Sequence, residues 1–237
     1  MKNSNKPPYE GDLTEEEYFF EEFPEEDKNI TRWQLKEILN LPWDDVKEGQ
    51  YLDFSNKWLW PKAAAEIVNH LNFGIKWITI DLSDNWILDE WVFEFMYLHL
   101  GEWVTLNLSN NNIFWIFAAG LIFNIEFSEK STVDLSNNEI SDVDLETYYE
   151  DIKKDKKNNW FIGLETSINL EKWAKLDLSN NYIWDKWAKI LMKTTTLEEW
   201  SIIDLSGNNR ISDEMKKELK DWEKTYHDAW INCEVII

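Results

Sequence analysis

The chain has 237 residues, 24 basic against 46 acidic, a formal net charge of -22 and 43% hydrophobic residues. That apolar share supports a core and argues against global disorder, while the charge disfavours nucleic acid and anionic membranes as partners. No uncharged apolar run reaches membrane-spanning length, no secretory signal is evident, and a single cysteine, Cys233, excludes an internal disulfide framework, so a cytoplasmic protein is expected.

Residues 1–29 hold ten acidic residues and three lysines with Tyr9, Tyr18, Phe19, Phe20 and Phe23 interspersed. Acid plus aromatic composition without periodicity reads as a disordered tail, either solubilising or folding on a basic partner. Residues 30–48 read as an N-terminal helical cap, with a short helix from Thr31 to Leu41 that is N-capped by Thr31 and broken at Pro42.

From Gly49 to Ile237 the chain repeats itself. Six segments read alike: Leu52-Asp53-Phe54-Ser55, Ile80-Asp81-Leu82-Ser83, Leu106-Asn107-Leu108-Ser109, Val133-Asp134-Leu135-Ser136, Leu176-Asp177-Leu178-Ser179 and Ile203-Asp204-Leu205-Ser206. The central polar residues are spaced by 28, 26, 27, 43 and 27. Strict alternation of apolar and polar residues predicts a strand buried on one face. Four residues after five of the six markers stands Asn85, Asn111, Asn138, Asn181 or Asn208, an amide able to bond backbone that the strands leave unpaired, while the first copy carries Lys57 there and reads as a cap. Two residues further on, Leu59, Ile87, Ile113, Ile140 and Ile183 form another inward column. Segments with apolar residues three and four apart follow, such as Ala64, Ile67, Val68 and Leu71, or Ala188, Leu191 and Met192, and these predict helices. The spacing of 43 marks an insertion at about 144–166, which carries the basic run Lys153-Lys154-Asp155-Lys156-Lys157. Cys233-Glu234-Val235 reads as a degenerate seventh copy in a C-terminal capping strand, with Glu234 in the marker column.

The L-x-L-S-x-N-x-I strings and Ile183-Trp184-Asp185-Lys186-Trp187 resemble the ribonuclease-inhibitor-like class of leucine-rich repeats. The resemblance implies an α/β solenoid, a horseshoe arc with parallel strands on the concave face and helices on the convex face. It implies a monomeric, non-enzymatic module that binds a protein. A second implication is regulation of a small GTPase, since Ran-GTPase activators resemble this repeat class, although their acidic tail is at the other end. A third is a structural part of a larger assembly.

Sixteen tryptophans stand against only 7 glycines. Four residues before the marker the copies show Gly49, Trp77, Trp103, Lys130, Trp173, Trp200 and Trp230. The family's turn after the strand commonly reads N-x-I-G-D-x-G; here it reads Asn181-Tyr182-Ile183-Trp184-Asp185-Lys186-Trp187, and Trp58, Trp60 and Trp91 fall in comparable turns. Glycine suits such turns and tryptophan does not. The pattern therefore predicts that many of these residues are glycine in the natural protein, through UGA codons read as glycine. The competing reading is a set of aromatic residues stacked between repeats.

Inward neighbours force the markers Asp53, Asp81, Asn107, Asp134, Asp177, Asp204 and Glu234 onto the opposite, concave face. Beside them run the more variable Tyr51, Thr79, Thr105, Thr132, Lys175 and Ile202. These two columns are the expected partner-binding site, and their charge predicts a partner with a basic patch. No catalytic residue, metal site or cofactor is expected: Cys233 with the distant His70, His99 and His227 has no triad logic, and phosphate-binding loops and Cys/His metal spacings are missing.

Overall fold

The computed structural model describes residues 46–57, 59, 64, 67, 75–85, 87, 99–141 and 167–237. The acidic segment 1–29, the expected helix from Thr31 to Leu41, the insertion at 144–166, His70, Trp58, Trp60 and Trp91 lie outside the described residues.

The architecture is α/β. Seven three-residue strands, β1 (Tyr51–Asp53), β2 (Thr79–Asp81), β3 (Thr105–Asn107), β4 (Thr132–Asp134), β6 (Lys175–Asp177), β8 (Ile202–Asp204) and β9 (Glu234–Ile236), form one open parallel sheet in that order. Parallel neighbours need crossover connections. Helix α1 (Trp115–Asn124) lies between β3 and β4, α2 (Asp185–Thr194) between β6 and β8, and α3 (Asp213–Asp228) between β8 and β9. The register aligns Asp53, Asp81, Asn107, Asp134, Asp177 and Asp204 in a single row. Pairing of Asp134 with Asp177 carries the row across the long spacing, so the insertion leaves the ladder unbroken.

The alternation read from the sequence becomes the core. Ile80, Leu106, Val133, Leu176, Ile203 and Val235 at the strand centres are buried, as are Leu82, Leu108, Leu135, Leu178 and Leu205 two residues on. Removing each such side chain from water contributes roughly 1.5–3 kcal/mol. Helices cover the other side: Ala64 and Ile67, Ala118 and Leu121, Ala188 and Leu191, and Met215 and Leu219 are all buried. Helix α3 begins where the Ser212 hydroxyl accepts from Met215 N, with Asp213 and Glu214 facing the positive end of the helix dipole.

The asparagine column performs the expected role. Asn111 Oδ1 accepts from Ile87 N at 3.2 Å, while its amide donates to Leu82, Leu108 and Ser109 carbonyls at 3.0–3.2 Å. Asn85, Asn138, Asn181 and Asn208 bond in the same manner, and all five are 3–5% exposed. Each side chain thus ties the end of one strand to the turn of the preceding copy.

Two features depart from the sequence reading. Glu234 pairs with Ile202, and Ile236 pairs with Asp204, so Glu234 belongs to the variable column and not to the marker column. Alternation alone fits both registers because positions two apart share a face; the hydrogen bond from Glu234 N to Ser201 O decides between them. A second parallel sheet, β5 (Ile168–Leu170) with β7 (Thr195–Leu197), also stands among the connections. It arises where Ile168 and Leu170, and Thr195 and Leu197, are buried on one face with Asn169 and Thr196 exposed.

Candidate functional site

The outward face of the seven-stranded sheet carries both predicted columns. One row runs Tyr51, Thr79, Thr105, Thr132, Lys175, Ile202 and Glu234. The marker row lies two residues further along each strand. Parallel neighbours are about 4.8 Å apart, so the seven strands present a continuous surface about 30 Å across. Thr79, Thr105, Thr132, Lys175 and Ile202 are half-buried, and Tyr51 is exposed.

The markers do more than face outward. Asp53, Asp81, Asn107, Asp134, Asp177 and Asp204 each accept the backbone N–H of the serine two residues on, at 2.9–3.0 Å. A short acceptor two residues before a free N–H closes a local turn, so one oxygen of each side chain belongs to the framework. The Ser55, Ser83 and Ser109 hydroxyls donate to the same oxygens at 2.6–2.8 Å. The Ser55 bonds hold the Asp53 carboxyl below its usual range.

Internal partners partly offset the expected row of like charges. Tyr51 donates its hydroxyl to Asp81, and Asn107 Nδ2 donates to Asp81 at 3.1 Å. The bond to Asp81 pushes the Tyr51 phenol up to about 12. Burial works against the charged Asp81, but the Ser83 and Tyr51 bonds outweigh it and its pKa is lowered. Further along, Lys175 Nζ lies 2.8 Å from Asp177 and 4.0 Å from Asp204. Burial disfavours the ammonium and the carboxylate alike, yet their hydrogen bond prevails, raising the Lys175 pKa and lowering that of Asp177. The sequence placed Lys175 in the variable column; its role as a clamp on two carboxylates needed the register to be seen.

Lys175→Met is expected to cost about 1–2 kcal/mol at neutral pH, between the exposed and buried limits because the lysine is partly screened by solvent. The raised lysine pKa makes its contribution complete below the ordinary value of 10.5 and lost as pH rises through the folded value. The lowered aspartate pKa makes its contribution complete above 3.8 and lost as pH falls through the folded value. Denaturant titrations should therefore show the largest gap between wild type and variant in the window between those values, narrowing at both extremes. A gap independent of pH would assign the loss to packing.

A row of large aromatics borders the entry to the strands. Trp77 and Trp103 stack at 5.0 Å, Trp173 and Trp200 at 5.2 Å, and Lys130 lies 4.3 Å over the Trp103 ring. These four tryptophans are 43–56% exposed, so they do not form a buried ladder. All have φ of 64–66°. At the other turn Trp184 has an extended backbone with φ -113°, and Trp187 is buried within α2, so the backbone does not require glycine at either.

Elsewhere the described residues offer little chemistry. His227 Nε2 lies 2.9 Å from the Cys233 carbonyl oxygen, and burial, followed by the nearby Glu223, pushes the Cys233 thiol up to about 11. His99 bonds Glu126 at 2.7 Å beside a hollow lined by Glu102, Glu129, Ser167 and Asn169. Among the described residues no group of three His, Cys, Asp or Glu is placed to hold a metal ion, and no helix is long and apolar enough to cross a membrane. The chain matches no protein-family model and no curated protein.

Proposed function

We propose that the chain is a leucine-rich-repeat solenoid of the ribonuclease-inhibitor-like class, an arc with its strands on the concave side, that acts as a non-catalytic module gripping a protein with a basic patch. The observation that carries this reading is the unbroken register of the seven strands. It sets short hydroxyl side chains at Thr79, Thr105 and Thr132 beside carboxylates at Asp81, Asp134 and Asp177 on one face. Short hydroxyls leave room for an incoming side chain, and the second Asp134 oxygen can accept from lysine or arginine, whereas on Asp81 and Asp177 that oxygen already accepts from Tyr51 and Lys175. The serine N–H bonded to each marker also supports the reading, because it holds the acceptors in place before binding. The inward alternation, the asparagine ladder and the helices between strands support the repeat class.

The test is the salt dependence of binding to a partner captured from the source cell. The Debye length shrinks from about 10 Å at 0.1 M salt to about 3 Å at 1 M. An acidic face gripping a basic patch predicts an affinity at least tenfold weaker across that range, chiefly through slower association at high salt. Affinity unchanged by salt would overturn the acidic basis of recognition.

A further inference from the structure

We infer that positions 77, 103, 173, 200 and 230 are glycine in the protein as its source cell makes it, although the sequence reads tryptophan at each. This goes beyond the binding role above and is independent of it. All five have φ between 64° and 66°, the left-handed region in which an L side chain crowds its own backbone.

Two unrelated backbone settings carry the same anomaly. The first is the turn before each strand. Val104 N bonds Gly101 O at 3.2 Å, Ala174 N bonds Glu171 O at 2.9 Å and Ser201 N bonds Glu198 O at 3.1 Å, so Trp103, Trp173 and Trp200 each occupy the third position of a four-residue turn. Positive φ at that position is the type II arrangement, which takes glycine. The first copy does so: Gln50 N bonds Lys47 O at 3.4 Å and the third residue is Gly49, with φ 82°.

The second setting is the end of helix α3. Trp230 N bonds His227 O at 3.0 Å and Ile231 N bonds Tyr226 O at 2.9 Å. These two bonds define a Schellman motif with Trp230 at the left-handed position after the cap, where glycine is the usual residue. Trp230 is 92% exposed, so burial does not offset the crowding. Its place in α3's cap, outside the strand register, makes it an independent instance.

The chain supplies its own control. A second left-handed column follows the strands, at Asn56, Asp84, Asn110, Asn137, Asn180 and Gly207, with φ from 50° to 74°. There every residue is one that tolerates this conformation. Selection for left-handed backbone is thus visible in one column and reversed in the other. Lys130, at φ 60°, shows that the fold imposes this turn on whatever residue stands in it. Trp222 differs in its backbone: it sits within the helical backbone of α3, with its ring edge-on to Tyr226. The economical explanation is a genetic code in which UGA is read as glycine, with tryptophan written wherever those codons were translated by the standard table. The exposed aromatic row is then absent from the native surface and is not a docking site.

The gene and the native protein decide it. UGA codons are expected at all five positions, and a UGG codon at any of them would overturn the inference for that position. In protein purified from the source cell, the tryptic peptide Thr194–Arg210 and the one that begins at Thr225 each contain one of the five. Both should show the glycine mass; the tryptophan mass in either would defeat the proposal. In a recombinant chain carrying the tryptophans, Trp230→Gly should raise Tm by roughly 3 °C. Trp230→Ala, which keeps a Cβ, should raise it less, and equal shifts for the two would remove the backbone argument.

Discussion

Asn181→Ala is expected to lower stability by about 4 kcal/mol, more than the loss of any surface charge in the molecule. The side chain is 5% exposed and makes five bonds. Its oxygen accepts from Asn138 N and Ile140 N at 3.1 and 3.2 Å. Its nitrogen donates to the carbonyls of Leu135, Leu178 and Ser179 at 2.9–3.2 Å. Truncation strips partners from two amides and three carbonyls, each group costing about 1 kcal/mol or more when left unpaired, with some recovery as water enters. For a chain of this size the loss corresponds to roughly 8–16 °C in Tm. Urea unfolding reads it directly, and a loss under about 1 kcal/mol would mean that water replaces the amide without penalty. Asn181→Asp adds a diagnostic. A carboxylate facing three carbonyls is disfavoured, so its folded pKa rises above the unfolded value and stability recovers as pH falls through that raised value.

That asparagine column was legible in the sequence because its function is periodic. A residue needed once per copy, at a fixed offset from an alternating strand, repeats visibly in the chain, and so do the apolar columns from Ile80 to Val235. The orientation of the marker row was legible for the same reason. Its chemistry was only half so. Alternation turns Asp81 and Asp177 outward, but their bonds to Ser83 and Ser179 depend on the chain turning inward again two residues later. The Tyr51–Asp81 and Lys175–Asp204 contacts depend on register between strands, which alternation alone leaves open to slips of two. In the last strand such a slip put Glu234 in the marker row instead of the variable row, since a degenerate copy has no asparagine to anchor it. Strands β5 and β7 were missed because three residues among helical signals carry too little pattern to stand out.

The same distinction separates the tryptophans. Sequence comparison marked an anomalous column without sorting its members by cause. Backbone angles sort them, because φ is a property of the turn and not of the side chain placed in it. Trp184 and Trp187 fall where the repeat class this sequence resembles carries glycine, and occupy extended and helical backbone respectively. Trp103 and Trp230 occupy left-handed backbone, which glycine adopts freely and asparagine or aspartate tolerates but a bulky side chain does not.

Thr105→Arg should weaken partner binding at least 100-fold, about 2.7 kcal/mol, while leaving stability within about 0.5 kcal/mol of wild type. Thr105 sits on β3, paired with Thr79 on one side and Thr132 on the other, so the new side chain meets only short neighbours. Asp81 and Asp134 lie diagonally across the strands and offset the added charge in the free protein. If a partner's basic patch docks on this face as proposed, the guanidinium would meet it across a surface from which water is largely excluded. A like charge in that position costs several kcal/mol, far more than the lost threonine contacts. Thr196→Arg supplies the control: Thr196 is an exposed residue of β7 in the second sheet, and the same substitution there leaves the strand face untouched. Titration calorimetry on both variants separates the outcomes. Loss at Thr105 alone supports the strand face, loss at Thr196 alone transfers the site to the second sheet, and wild-type affinity at Thr105 removes the central strands from the interface.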